Sequence, residues 1–321
     1  MEHLLEIKDL RVQFRTERAT ANALNGLDLN IGKGESLGLV GETGAGKTTT
    51  ALAILNLLAK TAKHSGEINF NGKSVFSMSQ RELKDMRGKR VAMIFQNPLT
   101  ALNPVFTVGE QIAMVVRTHQ KISKKEALKA AGEMLELVGI PAYRVNDYPM
   151  QFSGGMRQRV GIAAALSCNP ELLIADEPTT ALDVTIQAQI LELMKDLQQK
   201  YSTSFLMITH NLGIISELCN TVAVIYAGCI IEYGSVYEVF TNPAHPYTYG
   251  LLGALPSLDE TKETLTAIPG EIADPRSLPT GCSFHPRCEQ CMDKCRDTFP
   301  EMVKLNDDHY IRCFRHEGTS L

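Results

Sequence analysis

Short runs of apolar and β-branched residues alternate with stretches of helical periodicity along the first part of the chain, the pattern of strands covered by helices. Residues 1–8 read as a first strand. Ser36-Leu37-Gly38-Leu39-Val40 is an apolar strand, and residues 48–58 then repeat their apolar positions at helical spacing. Residues 91–95, 172–175, 204–208 and 221–226 are further buried-strand patterns. Between 91–95 and 172–175 lies a long, mostly helical insert, 107–166, punctuated by Pro141, Pro149 and Gly154-Gly155, which predicts a separate helical subdomain. After about Gly250 the texture changes. Pro256, Pro269, Pro275, Pro279, Pro286 and Pro300 interrupt a stretch with little periodicity, and such a segment buries little apolar surface and needs another source of stability. No internal repeat is evident, and the pattern predicts an α/β fold with a helical insert and an appendage.

With 321 residues there is room for one large α/β domain plus that appendage. A net charge of -4 argues against broad adhesion to nucleic acid, whose phosphates attract basic surfaces. Glu2 and Glu6 stand where a secretory signal would need a positive flank, so no export signal is expected. No run approaches the roughly 20 apolar residues that span a bilayer; the best, 51–59, is interrupted by Asn56. Any membrane role is expected to run through partner proteins. The eight cysteines of a long chain without an export signal suit a reducing cytosol. Cys168, Cys219 and Cys229 sit in apolar segments as core residues, whereas Cys282, Cys288, Cys291, Cys295 and Cys313 crowd together near the end.

Gly41-Glu42-Thr43-Gly44-Ala45-Gly46-Lys47-Thr48 fits G-x-x-x-x-G-K-[ST] and lies between an expected strand and an expected helix. Glycines let backbone N–H groups turn inward around phosphates, and the helix that follows directs its positive end at them. Lys47 would reach the β- and γ-phosphates, and the Thr48 hydroxyl would ligate Mg²⁺. A glycine-rich turn with a chance lysine is the plain alternative, and the agreement of strand, loop and helix weighs against it. Leu172-Leu173-Ile174-Ala175-Asp176-Glu177 is an apolar strand ending in two carboxylates. Asp176 suits Mg²⁺, directly or through water, and Glu177 suits polarising an attacking water.

Phe152-Ser153-Gly154-Gly155-Met156-Arg157-Gln158-Arg159 resembles the signature segment of the ABC ATPases. A serine and two glycines opening a helix make an anion site, although alone they are equally a serine N-cap with flexible glycines. The remaining elements of that family stand in its order along this chain. The resemblance implies that Ser153, Gly154 and Gly155 complete the ATP pocket of an opposite subunit, with two ATPs sandwiched in a head-to-tail dimer. It implies Gln96 as the glutamine that contacts Mg²⁺ and the attacking water. Thr180-Ala181-Leu182-Asp183 matches the family's D-loop, Asp183 facing the partner, and His210 matches the switch histidine that holds the γ-phosphate. Thr43, Gly44, Ala45, Gly46 and Thr49 join Gly41, Lys47 and Thr48 in the implied ATP contacts, and Phe14 aligns with the adenine-stacking aromatic, here with about ten residues before the next expected strand. Met156 stands where many members carry Gln; the oligopeptide/dipeptide branch often has Met in one of its two ATPases. This implies a different, related partner ATPase, a homodimer being the alternative.

Asn242-Pro243-Ala244-His245-Pro246-Tyr247-Thr248 and Gly281-Cys282-Ser283-Phe284-His285-Pro286-Arg287-Cys288 resemble the C-terminal extension of the oligopeptide/dipeptide importer ATPases. The resemblance then covers the whole chain: a nucleotide-binding domain over 1–250, its helical subdomain at about 97–166 and a small antiparallel β subdomain, and the extension over 251–321. The resemblance implies that Cys282, Cys288, Cys295 and Cys313 can hold a [4Fe–4S] cluster, leaving Cys291 as an extra, although Cys288, Cys291 and Cys295 also form a C-x₂-C-x₃-C run. Zinc is the rival metal, and unligated thiols are the bland reading. The implied activity is ATP hydrolysis energising a bacterial or archaeal peptide importer at the cytoplasmic face of the membrane. Its partners would be two permeases and, through them, an external substrate-binding protein, with no nucleic acid. Nickel complexes, glutathione or sugars are alternative cargoes within the branch. A soluble ABC ATPase acting on DNA or ribosomes, or a cassette that only binds nucleotide beside a metal-cluster module, are the competing classes.

Overall fold

A computed structural model describes residues 3–15, 19–97, 101–180, 182–254 and 268–318; Met1, Glu2, Ala181 and Pro256 lie outside these. The chain forms two compact units, one of 1–32, 37–76 and 209–321, the other of 33–36 and 77–208.

The first five strands are β1 (His3–Arg15), β2 (Thr20–Gly32), β3 (Ser36–Val40), β4 (Ala62–Phe70) and β5 (Lys73–Ser74). Four of them make an antiparallel sheet in the first unit, ordered β2-β1-β4-β5. Along β1, Leu5, Ile7, Leu10 and Val12 are buried while Lys8, Arg11 and Gln13 are exposed, as a sheet with one wet face requires. The expected first strand covers residues 1–8. The structure carries the strand on through a register shift at Asp9, whose φ of 42° marks a bulge. The second strand therefore begins at Thr20, nearer to Phe14 than the sequence suggested, and Phe14 pairs with Ala21. The helix after β3 runs Lys47–Ile54, ending before residue 58 because Asn56 turns left-handed (φ 49°) and Leu57 N–H bonds back to the Leu52 carbonyl.

In the second unit β6 (Val91–Ile94), β7 (Leu172–Asp176) and β8 (Ser204–Thr209) run parallel in the order β8-β7-β6. Their unbroken apolar runs fit a parallel sheet buried on both faces. The insert supplies helices Val108–His119, Lys124–Leu137 and Gly154–Leu166, the last opened by Gly154-Gly155 as the sequence predicts. Ser79/Glu82, Thr107/Glu110 and Ser123/Glu126 are reciprocal capping boxes that start three of this unit's helices.

Chain 209–321 returns to the first unit, where β9 (Thr221–Tyr226) lies parallel to β3 and antiparallel to β10 (Cys229–Ser235). The proline-rich tail then adds β11 (Val303–Asn306) and β12 (His309–Ile311), with β12 against β10. This corrects the expectation that the tail buries little: Phe284, Ile311 and Phe314 are core residues, and the rings of Tyr226, Tyr247 and Phe284 meet edge to face at 4.7–5.4 Å. A buried polar knot joins the tail to β10. Glu232, fully buried, takes hydrogen bonds from Ala244 N–H (2.8 Å) and His245 N–H (2.9 Å) and pairs with His309 Nε2 at 2.7 Å. Burial alone would raise the Glu232 carboxyl, but the His309 contact and these N–H donors outweigh it and hold it below the usual carboxylate range. His245 is pushed down to about 4 by burial, so its ring is neutral and its Nδ1 accepts Tyr247 N–H at 3.0 Å. Among the described residues no helix is long and apolar enough to cross a membrane.

Candidate nucleotide site

The loop 41–48 bridges β3 and the Lys47–Ile54 helix in the first unit. Gly46 sits at φ 109°, and a Cβ there would lie 2.7 Å from the Ala23 carbonyl oxygen, so only glycine lets the loop turn into the helix at this point. Lys47 is buried, and its ammonium donates to the carbonyls of Gly41 (2.7 Å) and Glu42 (3.0 Å). Gly228 N–H donates to the Ala45 carbonyl at 2.9 Å, bracing the loop from the β9–β10 turn. Thr43, Gly44 and Thr48 are exposed, and Thr49 is half-buried in the first helical turn. Phe14 is half-buried on β1, and His210, exposed, follows β8 directly.

Two residues far from this loop in the chain touch it. Tyr247 Oη accepts Glu42 N–H at 2.9 Å, and Arg287 holds the Glu42 carboxylate with both arms, 2.7 and 3.1 Å. The signal was present only as two motif fragments, His-Pro-Tyr and His-Pro-Arg-Cys, far from the loop in sequence.

The second unit gathers the other candidate residues. Asp176 ends β7 and is buried. Glu177 follows with φ 46°, a conformation costly for a side chain that is not glycine, and its N–H donates to the Ile208 carbonyl at 2.8 Å. Its carboxylate is held by Gln96 Nε2 (2.8 Å) and Thr180 Oγ1 (3.0 Å). A carboxylate steered by an amide and a hydroxyl is aimed rather than free, as a group that orients water needs to be. Ser153 caps the Gly154–Leu166 helix by accepting Met156 N–H at 3.3 Å, and Asp183 caps the Val184–Tyr201 helix by accepting Ile186 N–H at 3.0 Å. Gly155 packs so closely on Ile186 that a Cβ would sit 2.4 Å from its Cγ2, which brings the two caps side by side. Arg144 braces this corner, stacking 4.1 Å from the Phe152 ring centre and donating to the Gln151 carbonyl and Asp147.

In the tail, Cys282, Cys288, Cys295 and Cys313 line one cavity with His245, Phe284 and Phe314, and Cys291 is not among its walls. None of the eight cysteines forms a disulfide. Burial pushes the Cys282 thiol up to about 11 and raises Cys288 and Cys313, with the neighbouring cysteines adding to each shift. Among the described residues no group of three or more His, Cys, Asp or Glu is spaced to hold a single metal ion.

The pattern that defines the family described as "ABC transporter" matches residues 24–180, and that of "Oligopeptide/dipeptide transporter, C-terminal region" matches 231–295. The chain is 51% identical over 314 residues to the oligopeptide transport ATP-binding protein OppD of Bacillus subtilis (strain 168), covering 96% of this chain and 88% of that protein. It is 47% identical over 321 residues to AppD of the same organism (99% and 98%), and 45% over 314 to OppD of Escherichia coli (strain K12) (97% and 93%). Among solved structures, the ATP-binding cassette MJ0796 in a dimeric post-hydrolysis state bound to ADP and Pi superposes with a TM-score of 0.65 at 26% identity, covering 72% of this chain and 98% of that one. The structure of cbiO1 from Clostridium perfringens, part of the ABC transporter complex cbiONQ, gives 0.64 at 26% identity (75% and 92%). The fold is therefore that of a phosphate-loop ABC ATPase, and the chain belongs to the ABC transporter ATP-binding subunits, in the oligopeptide/dipeptide branch.

Proposed function

We propose that this chain is the ATP-hydrolysing subunit that energises peptide import through a membrane transporter. One observation carries the reading: a complete phosphate loop with its lysine occurs on the same chain as the oligopeptide/dipeptide C-terminal element. In this reading Gly41 and Thr43 to Thr49 bind the phosphates of ATP, Phe14 meets the adenine and His210 the γ-phosphate. The oxygen donors Thr48, Asp176 and Gln96 suit Mg²⁺, which when bound spreads the negative charge of the phosphates. Glu177, aimed by Gln96 and Thr180, polarises the attacking water. Ser153, Gly154, Gly155 and Asp183 serve the ATP of a partner subunit, a second related ATPase or a second copy.

The chain then works at the cytoplasmic face of the membrane, beside two permeases fed by an external substrate-binding protein. A groove of about 360 Å³ with Phe106, Met114 and Leu128 among its walls, edged by Glu110, Arg117 and Lys124, supports the helical insert as the permease contact. The test is transport. Proteoliposomes holding this chain, its permeases and its partner ATPase, with the substrate-binding protein and peptide on the opposite side from the ATPases, should accumulate peptide only with MgATP on the ATPase side; uptake indifferent to MgATP would overturn the reading.

The four cysteines on one cavity wall also suit an iron–sulfur cluster, whose cohesion would reinforce the tail. Their joint placement, with Cys291 apart, supports Cys282, Cys288, Cys295 and Cys313 as the holding set. Protein purified without oxygen should contain iron and sulfide in equal amounts and lose both in a Cys288→Ser, Cys313→Ser chain. Zinc alone, or no metal, would contradict this assignment.

A further inference from the structure

Glu42 is the first variable residue of the phosphate loop, and all its polar groups are engaged. Its N–H donates to Tyr247 Oη (2.9 Å), and its carbonyl accepts from Lys47 Nζ (3.0 Å) and Ala45 N–H (3.2 Å). Its carboxylate receives Arg287 Nη1 at 2.7 Å and Nη2 at 3.1 Å. Arg287 is itself anchored. Its side chain is 3% exposed, Nε donates to the Pro269 carbonyl at 3.0 Å, and the guanidinium carbon lies 5.9 Å from the ring centres of Tyr226 and Phe284. Tyr247 is fully buried. Both residues therefore grip the loop from fixed positions in the chain's C-terminal part.

A carboxylate is a poor neighbour for a triphosphate, because like charges in a partly buried site repel strongly. A bidentate guanidinium held out of water is the side chain best suited to cancel that charge while fixing its direction. The Tyr247 hydroxyl fixes the same residue's backbone, and the Glu42 carbonyl in turn steers Lys47. Charge and geometry at the loop thus depend on residues more than 200 positions away.

We propose that Arg287 and Tyr247 are positioning residues of the nucleotide site: through Glu42 they hold the phosphate loop in shape and cancel its negative charge, so that nucleotide binding and the order of the C-terminal extension form one coupled equilibrium. This rests on the reading of loop 41–48 as the phosphate site. Coupling between binding equilibria is reciprocal, so nucleotide tightens the extension as much as the extension tightens nucleotide. Arg287 precedes Cys288, a wall of the cysteine cavity, which places that cavity one residue from the grip on the loop.

The test compares MgATP binding and turnover in the full chain with Arg287→Met, with Glu42→Gln/Arg287→Met and with Lys47→Ala. Arg287→Met should raise Kd and KM for MgATP about tenfold, equal to about 1.4 kcal/mol, with kcat within about twofold. The double variant, which removes the stranded charge, should recover to within about threefold of the parent, a recovery that general loosening of the fold would not give. On the unmodified protein, saturating MgATP should slow hydrogen exchange at the backbone of 284–288. Parent-like affinity in Arg287→Met, no recovery in the double variant, or unchanged exchange at 284–288 would each overturn the coupling. If Lys47→Ala binds MgATP as the parent does, the phosphate-site reading fails instead.

Discussion

Single residues in this chain carry charges that their surroundings must answer. Glu42, in the phosphate loop, is paired with Arg287, and Glu177, after β7, is held by Gln96 and Thr180 from a left-handed backbone. The buried knot at Glu232 has a pH consequence. His245 titrates near 4 in the folded protein against an ordinary value of 6.5, so the folded state excludes a proton that the unfolded chain binds. The stability this represents is complete above about pH 6.5 and is lost as pH falls from there toward 4, by roughly 3 kcal/mol in total. Glu232, also depressed, adds a loss of the same sign at lower pH, below its ordinary carboxylate range. Urea unfolding midpoints should accordingly be level between pH 7 and 8 and fall steadily below about 6.5. A level profile down to pH 5 would mean that the His245 ring is not buried and neutral as described.

At the scale of elements, the sequence was most legible where one local rule decides. Thr221–Tyr226 and Ser36–Val40 form at the expected bounds because an apolar, β-branched run has few alternatives to a buried strand. The Lys47–Ile54 helix ran short because Asn56 turns left-handed and Leu57 N–H closes back on the Leu52 carbonyl, a local end that apolar periodicity does not register. β11 and β12 were missed because each is too short to show alternation, and they owe their existence to the open edge of β10. Segments 152–159 and 182–189, separated by a strand in sequence, meet through the close packing of Gly155 on Ile186 and the Arg159–Gln189 hydrogen bond at 3.1 Å.

Across the whole molecule, the candidate chemistry was readable because it is concentrated in contiguous motifs: Gly41 to Thr48, Asp176-Glu177, and Ser153 to Gly155. The grip of Arg287 on Glu42 was not, since it joins positions 245 apart and no local spacing encodes it. The grouping of Cys282, Cys288, Cys295 and Cys313 without Cys291 was implied by the family resemblance, while spacing alone left Cys291 open; the folded tail puts the four on one cavity. The most direct measurement combines turnover and mass for Glu177→Gln in MgATP, alone and with the partner ATPase and permeases present. Hydrolysis should drop at least about a hundredfold while ATP stays bound, and the nucleotide-loaded chain should run as a dimer of ATPase subunits. Undiminished hydrolysis, or a strictly monomeric nucleotide-loaded chain in every mixture, would contradict hydrolysis at Glu177 within a paired nucleotide site.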